Sequence, residues 1–313
     1  MKLKFFTLLL LSVACFVSCR KIANDPDIKQ YDQQQIQSYI ASNGLTSMVR
    51  DTTMGDTTGT YYQIISQGNT AKPVDYPSTI FYVYTIRTFD GKYSVTDTAV
   101  NHSYGVLGHV VPNGLMLAIK NNLRYRGGKM RVLVPSHLAY GKNGAGTGSI
   151  TLTNGRIGGN QCLDITVNLI DDQAAYDQLV IKNYMTANNL TGYTEVTSGA
   201  YTGLWYKITT QPTGPNYFND NSTVTMNYSI YLMNNTNPDQ NIYATTTATF
   251  DDFGVGKWVP GFEEGLTLLG RGAGGISIIV PSALGYGTGG SANGIPANEC
   301  LRWDMTNVSI TNN

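Results

Sequence analysis

The chain has 313 residues, with 21 Lys+Arg against 21 Asp+Glu and only 13 % charged residues in all. A net charge of zero without a basic stripe argues against nucleic acid as a partner. Tyrosine alone numbers 21 and aromatics make up 11 %, a composition that favours strands and turns over long helices and is too apolar for a disordered chain.

Lys2 and Lys4 precede an uncharged run from Phe5 to Val17, and Ser18-Cys19 follow. The run is shorter than the ~20 apolar residues that a membrane-spanning helix requires, so residues 1–19 read as an export signal. A small residue before Cys19 resembles the bacterial lipoprotein cleavage site. Ordinary secretion and lipidation at Cys15 are alternatives. Cys19 is favoured because it ends the apolar run and Arg20-Lys21 follow it. The expectation is a mature chain anchored by lipid to a membrane of the cell envelope, not inserted through it.

After a short polar tether, Tyr31-Asp32-Gln33 leads into Ile36, Tyr39 and Ile40 at helical spacing, which predicts a helix over 29–42. The same text returns at Tyr176-Asp177-Gln178, Ile181, Tyr184 and Met185, an offset of 145, and predicts a helix over 174–187. Thr58-Gly59 matches Thr202-Gly203, and Val134-Pro135-Ser136-His137-Leu138-Ala139-Tyr140-Gly141 matches Val280-Pro281-Ser282-Ala283-Leu284-Gly285-Tyr286-Gly287. Glycine-rich loops follow both, then Ile157 with Asn160-Gln161-Cys162-Leu163, and Ile295 with Asn298-Glu299-Cys300-Leu301. This is an internal duplication, and two units of this length fit tandem domains, not a solenoid. The expected domains are 28–171, with a core of 75–171, and 172–313, with a core of 200–311. Cys162 and Cys300 fall at matching positions, one per unit, so a bridge within a unit is impossible; a bridge between the units is the alternative, and free strand cysteines are expected.

Strand alternation is clear in both units. Ile80, Tyr82, Tyr84 and Ile86 share one face, as do Val224, Met226, Tyr228 and Ile230. Leu163, Ile165, Val167 and Leu169 alternate with Asp164, Thr166 and Asn168, which predicts an antiparallel sheet with one buried face and one wet face. The cover is expected to be a short helix starting at Val111-Pro112 or Val259-Pro260, since proline suits the first helical turn. Each unit is thus α+β, an antiparallel sheet wrapped around a short helix and preceded by an extra helix whose docking place the pattern does not reveal.

Polar chemistry is scarce. His102, His109 and His137 show no metal-ligand spacing, and the second unit has no histidine, so neither a metal nor a shared His-dependent mechanism is expected. Gly270-Arg271-Gly272-Ala273-Gly274 runs into the strand Ile276 to Val280, whereas a phosphate loop must open a helix; no cofactor is implied.

The Pro-Ser-x-Leu-[Ala/Gly]-Tyr-Gly blocks, together with Trp258-Val259-Pro260-Gly261-Phe262-Glu263-Glu264-Gly265, resemble FKBP-type peptidyl-prolyl cis-trans isomerases over about 75–171 and 200–311. The resemblance implies proline-containing polypeptides as partners and a greasy pocket as the site. In the second unit it places Tyr228 on the first pocket strand and Phe262 on the pocket floor, with Trp258 and Val259 beside it. It gives Tyr286 as the loop hydroxyl donor, Ile295 as a backbone N–H donor, Trp303 as the last-strand aromatic and Tyr243 in place of the Phe of the family's Phe-Asp pair. In the first unit it implies Tyr84, Val110, Val111, Leu115, Tyr140, Ile157 and Ile165. Ala244 and Ser94 stand where the family has an acidic residue next to an aromatic, and the loop from Tyr140 to Ile157 is eight residues longer than its counterpart. The resemblance thus implies isomerase activity concentrated in the second unit and slowed by the missing acid. The rival expectation is a non-catalytic module that binds proline-containing or extended segments as a chaperone of the envelope.

Overall fold

A computed structural model describes residues 27–53, 55, 58–95, 102–233, 242–250, 258–292 and 294–312, with the side chains of 102 and 242–246 excepted. Cys19 and the leader lie outside these residues. Among the described residues no helix is long and apolar enough to cross a membrane.

The first unit runs α1 (Ile28–Ser42), β1 (Val49–Arg50), β2 (Tyr61–Ser66), β3 (Thr79–Thr88), β4 (Ser94–Val95), β5 (His102–Val106), α2 (Asn113–Ala118), β6 (Lys129–Val134) and β7 (Leu163–Ile170). The second runs α3 (Gln173–Ala187), β8 (Thr194–Glu195), β9 (Trp205–Thr210), β10 (Ser222–Leu232), β11 (Ile242–Phe250), α4 (Pro260–Leu269), β12 (Gly274–Val280) and β13 (Leu301–Asn312). Each makes its own antiparallel sheet. The first has the order β1-β2-β6-β7-β3-β4, with β5 also on β3, and the second has β8-β9-β12-β13-β10-β11. The connectivity is the same in both, as a duplicated sequence requires.

One face of each sheet closes on its short helix. In α4 the apolar stripe Phe262, Leu266 and Leu269 is buried, and Pro260 occupies the first turn, where its missing N–H is not needed. Gly261 permits the close approach: a Cβ there would collide with Val280 Cγ1, and one at Gly114 would collide with Val134 Cγ1. That shared contact aligns Gly114 with Gly261 and therefore Leu115 with Phe262. It also corrects the expected helix start in the first unit. Pro112 is the residue before the helix, which begins at Asn113, so Val111 corresponds to Trp258 instead of Val259.

The expectation of one wet face is overturned. The extra helices dock on the second face of each sheet. Ile36 of α1 packs with Tyr61, Leu133 and Cys162, while Val180, Ile181 and Tyr184 of α3 pack with Met233, Ile279 and Cys300. Asp164, assigned to water by alternation, is 5 % exposed. Arg131 on the adjacent strand meets it with two hydrogen bonds, Nε to Oδ1 at 2.8 Å and Nη2 to Oδ2 at 2.6 Å, and the Tyr39 hydroxyl donates to Oδ2 at 3.0 Å. A charge can be buried when its hydrogen bonds are met in this way, and no single-strand pattern reveals a partner on the neighbouring strand. Cys162 and Cys300 are free and buried, and each immediately precedes its strand instead of lying within it.

Candidate functional site

The site of the second unit is built around Phe262, which α4 projects onto the sheet. Its ring centre lies 6.4 Å from Tyr228, 6.0 Å from Phe250, 6.0 Å from Trp258 and 6.1 Å from Trp303. Phe250 and Trp258 meet edge-on at 4.5 Å. Such separations and tilts are those at which aromatic quadrupoles attract. Phe262 and Trp303 are buried at 4 % and 2 % exposure, while Trp258 is 37 % exposed at the rim. A graded aromatic cup results, dry at its floor and wet at its lip. Val259 packs at its edge. Tyr243 belongs to β11, but its side chain lies outside the described residues.

Phe250 was not among the expected residues. It ends a threonine-rich strand and pairs in register with Val224, whose side chain faces the core. Alternation along β11 from Ala244 through Thr246 and Ala248 was the signal that could have found it.

Tyr286 comes from the loop after β12 and packs against the same cluster. The loop has a defined backbone: Pro281, a 3-10 turn over Ser282–Leu284, Tyr286 at φ −90° and ψ 1°, then Gly287 at φ +56°. Its far end is sewn down by Asn298 N donating to Gly287 O at 2.8 Å, and Asn298 itself sits at φ +55°, a conformation that asparagine tolerates better than most residues. The first unit repeats this, with Tyr140 at φ −105° and ψ 7°, Gly141 at φ +56° and Asn160 N donating to Gly141 O at 2.8 Å.

The units diverge at the isoleucine. Ile157 and Ala145 exchange two backbone hydrogen bonds, at 2.9 and 3.0 Å, so the longer loop of the first unit consumes the Ile157 N–H internally. In the second unit Ser291 N donates to Ile295 O at 2.8 Å, and the Ile295 N–H meets no acceptor among the described residues. Ile295 is 2 % exposed and packs against the aromatic cluster.

The first unit keeps Tyr84 but replaces the floor with Leu115 and the last-strand aromatic with Ile165, both buried, and Ile157 is buried as well. Val110 is buried, whereas Val111 is 66 % exposed and stands outside the wall. Tyr82 and Tyr93, also not expected, join Tyr84 and Tyr140. Burial, and then the neighbouring Tyr84, Tyr93 and Tyr82, push the Tyr140 hydroxyl up to about 12. Four phenols therefore cluster in the first unit, where the second has Tyr286 and five rings centred on Phe262. The long loop is also stitched to the hairpin carrying Tyr93, through Asn154 N to Lys92 O at 2.9 Å and Ser94 N to Asn154 Oδ1 at 2.6 Å.

Hollows open on the opposite faces, of about 420 Å³ between α1 and Pro135-His137, about 360 Å³ beside Tyr39, Phe89 and Cys162, and about 330 Å³ beside Tyr193, Ser277, Arg302 and Asp304. None of them is lined by a member of the cup, so the site rests on aromatic geometry.

Residues 214–306, the segment that holds the cup, match the family model of FKBP-type peptidyl-prolyl cis-trans isomerase. Similar solved structures include the three FKBP domains of wheat FKBP73, at 16 % identity over 85 % of this chain and 98 % of that one, with a TM-score of 0.32. FkpA from Escherichia coli is similar at 22 % identity over 54 % of this chain and 69 % of that one, with a TM-score of 0.35. The N-terminal domain of FKBP42 from Arabidopsis thaliana is similar at 28 % identity over 36 % and 84 %, with a TM-score of 0.29. No curated protein matches the chain. Over residues 214–306, within the second unit, the chain is thus similar to the FKBP-type peptidyl-prolyl cis-trans isomerase family.

Proposed function

We propose that the second unit is a working peptidyl-prolyl cis-trans isomerase acting on exported polypeptides, and that the first is a binding module without turnover. The observation that carries this is the isoleucine N–H, spent on Ala145 in the first unit and, in the second, beside the aromatic cup without an acceptor among the described residues. Rotation about a prolyl amide crosses ~18–20 kcal/mol because the C–N bond is partly double. No bond is broken, so neither a nucleophile nor a general base is needed. The twisted amide has lost its resonance and is less polar than the planar one, so a cup that strips water from it favours the twisted state. Phe262 and Trp303 supply the dry floor, Tyr228 and Phe250 the walls. The Tyr286 hydroxyl and the Ile295 N–H hold peptide carbonyls and so fix the chain while the bond turns.

The test is the cis-to-trans rate of a proline test peptide with the full-length chain. Acceleration is expected, reduced about tenfold in Tyr286→Phe, the equivalent of about 1.4 kcal/mol in the barrier, and reduced further in Trp303→Ala. A wild-type chain that binds the peptide saturably without speeding its isomerisation would instead support a purely recognising protein.

We propose further that this activity belongs at the cell envelope, on a lipid attached to Cys19, a reading supported by the uncharged run Phe5 to Val17 that ends in Ser18-Cys19. Cells fed a labelled fatty acid should label the wild-type chain and leave Cys19→Ser unlabelled and released from the membrane fraction. Equal labelling of both would discard the anchor.

A further inference from the structure

The helix in front of each core brings a buried aspartate to the start of the tyrosine loop. Asp177 of α3 is 1 % exposed, and its Oδ2 accepts two hydrogen bonds from a single residue, Ser282 N at 2.9 Å and Ser282 Oγ at 2.7 Å. Ser282 opens the turn that leaves β12, and Tyr286 follows four residues later. Asp32, at the same place on α1, is also 1 % exposed, and its Oδ2 accepts from His137 N at 3.2 Å and is 2.8 Å from His137 Nδ1. Tyr140 follows three residues later.

The two locks use different chemistry. In the first unit the aspartate has moved one residue along the turn, leaving Ser136 Oγ buried with no partner among the described residues. The other oxygen differs as well, Asp177 Oδ1 accepting from Gln173 Nε2 at 2.7 Å and Asp32 Oδ1 from Cys162 Sγ at 3.5 Å, and what both preserve is Oδ2 of the added helix on a backbone N–H at the root of the loop. Docking alone does not call for this, because Val180, Ile181 and Tyr184 already bury an apolar face against the sheet. A buried carboxylate is costly unless its hydrogen bonds are met, so its presence in both units marks the turn as the thing being held. The loop needs such an anchor. Tyr286 lies between Gly285 and Gly287, and glycines hold a backbone poorly. Asn298 fixes the far end, and Asp177 fixes the near one.

We propose that Asp177 is a positioning residue for the isomerase: it sets the Tyr286 hydroxyl against the cup through Ser282, so that the added helix is a working part of the second unit. The proposal rests on the isomerase reading above. Its test is a double-mutant cycle in the full-length chain, with hydrogen exchange of the Ser282–Gly287 amides measured on the same proteins. Asp177→Ala is expected to lower kcat/KM for a proline test peptide about tenfold, the scale set by sub-ångström misplacement, and to speed exchange of those amides while the β13 amides stay protected. In a Tyr286→Phe background the same change should cost less than twofold, because the hydroxyl it positions is gone. A second full tenfold loss in that background would show a general structural role and overturn the proposal, as would unchanged exchange in the loop. Should Asp177→Ala not fold, Asp177→Asn keeps the shape and one acceptor and is judged by the same cycle. A wild-type chain without acceleration removes the isomerase reading and the positioning role together, whereas altered loop exchange would still establish the lock, so the two failures are separable.

Discussion

Raising the pH from 5 to 9 is expected to destabilise the second unit by about 4 kcal/mol through one side chain, Glu299. The carboxyl is 3 % exposed. Its Oε1 accepts from Met233 N at 2.8 Å, and Oε2 has no partner among the described residues. Burial pushes its pKa up to about 8, the Asp177 charge adds to the rise, and the Met233 N–H opposes it. A folded-state pKa above the ordinary value near 4.5 means that the folded chain keeps a proton which the unfolded chain has already released. Stability is therefore full below about pH 4.5 and falls as pH rises to about 8, at about 1.4 kcal/mol per pH unit, with no further change above. The first unit carries the neutral isostere, Gln161, at the matching position. Glu299→Gln should flatten the pH dependence of urea unfolding and leave the variant more stable than the wild type above pH 8. Parallel curves for the two proteins would refute the assignment.

The origin of that group's strain lies in a contact that no local pattern encodes. Asn-x-Cys-Leu was visible as a repeated block, and so were the helices over 29–42 and 174–187, the alternating strands and the glycine-aromatic-Glu-Glu turn. These are local signals, a period of 3.6 or 2 and a few fixed dihedrals. The second layer was not visible. Asp32 and Asp177 sit on helices whose composition is ordinary for a solvated surface, and only the tertiary fold brings them onto His137 and Ser282. Asp164 was assigned to water because a strand read alone shows a polar alternate, and Arg131 reaches it from the adjacent strand. Aligning Val111-Pro112 with Val259-Pro260 puts Val111 in the pocket, whereas the close approach of Gly114 sets the register one residue further on. Phe250 went unread because threonines dominate its strand, though its position opposite Val224 puts it in the cup.

The same comparison of units separates what the cup needs for folding from what it needs for chemistry. Phe262→Ala is expected to cost about 3–5 kcal/mol of stability, the range for emptying a buried aromatic site, and to lower kcat/KM by more than the Tyr286→Phe change, since the one ring touches Tyr228, Phe250, Trp258 and Trp303. That variant alone would confound the two effects. Phe262→Leu resolves them, because it installs the residue that the first unit holds at Leu115 under the same close helix-to-strand contact. Leucine restores most of the apolar volume, so chemical unfolding should show a cost of only about 1 to 2 kcal/mol. It cannot restore the edge-on contacts or the flat floor on which a proline ring lies, and the isomerisation rate should stay close to that of the alanine variant. Recovery of rate in step with stability would mean that any dry floor suffices, and the divergence of the first unit would then have to rest on its closed Ile157–Ala145 pair alone.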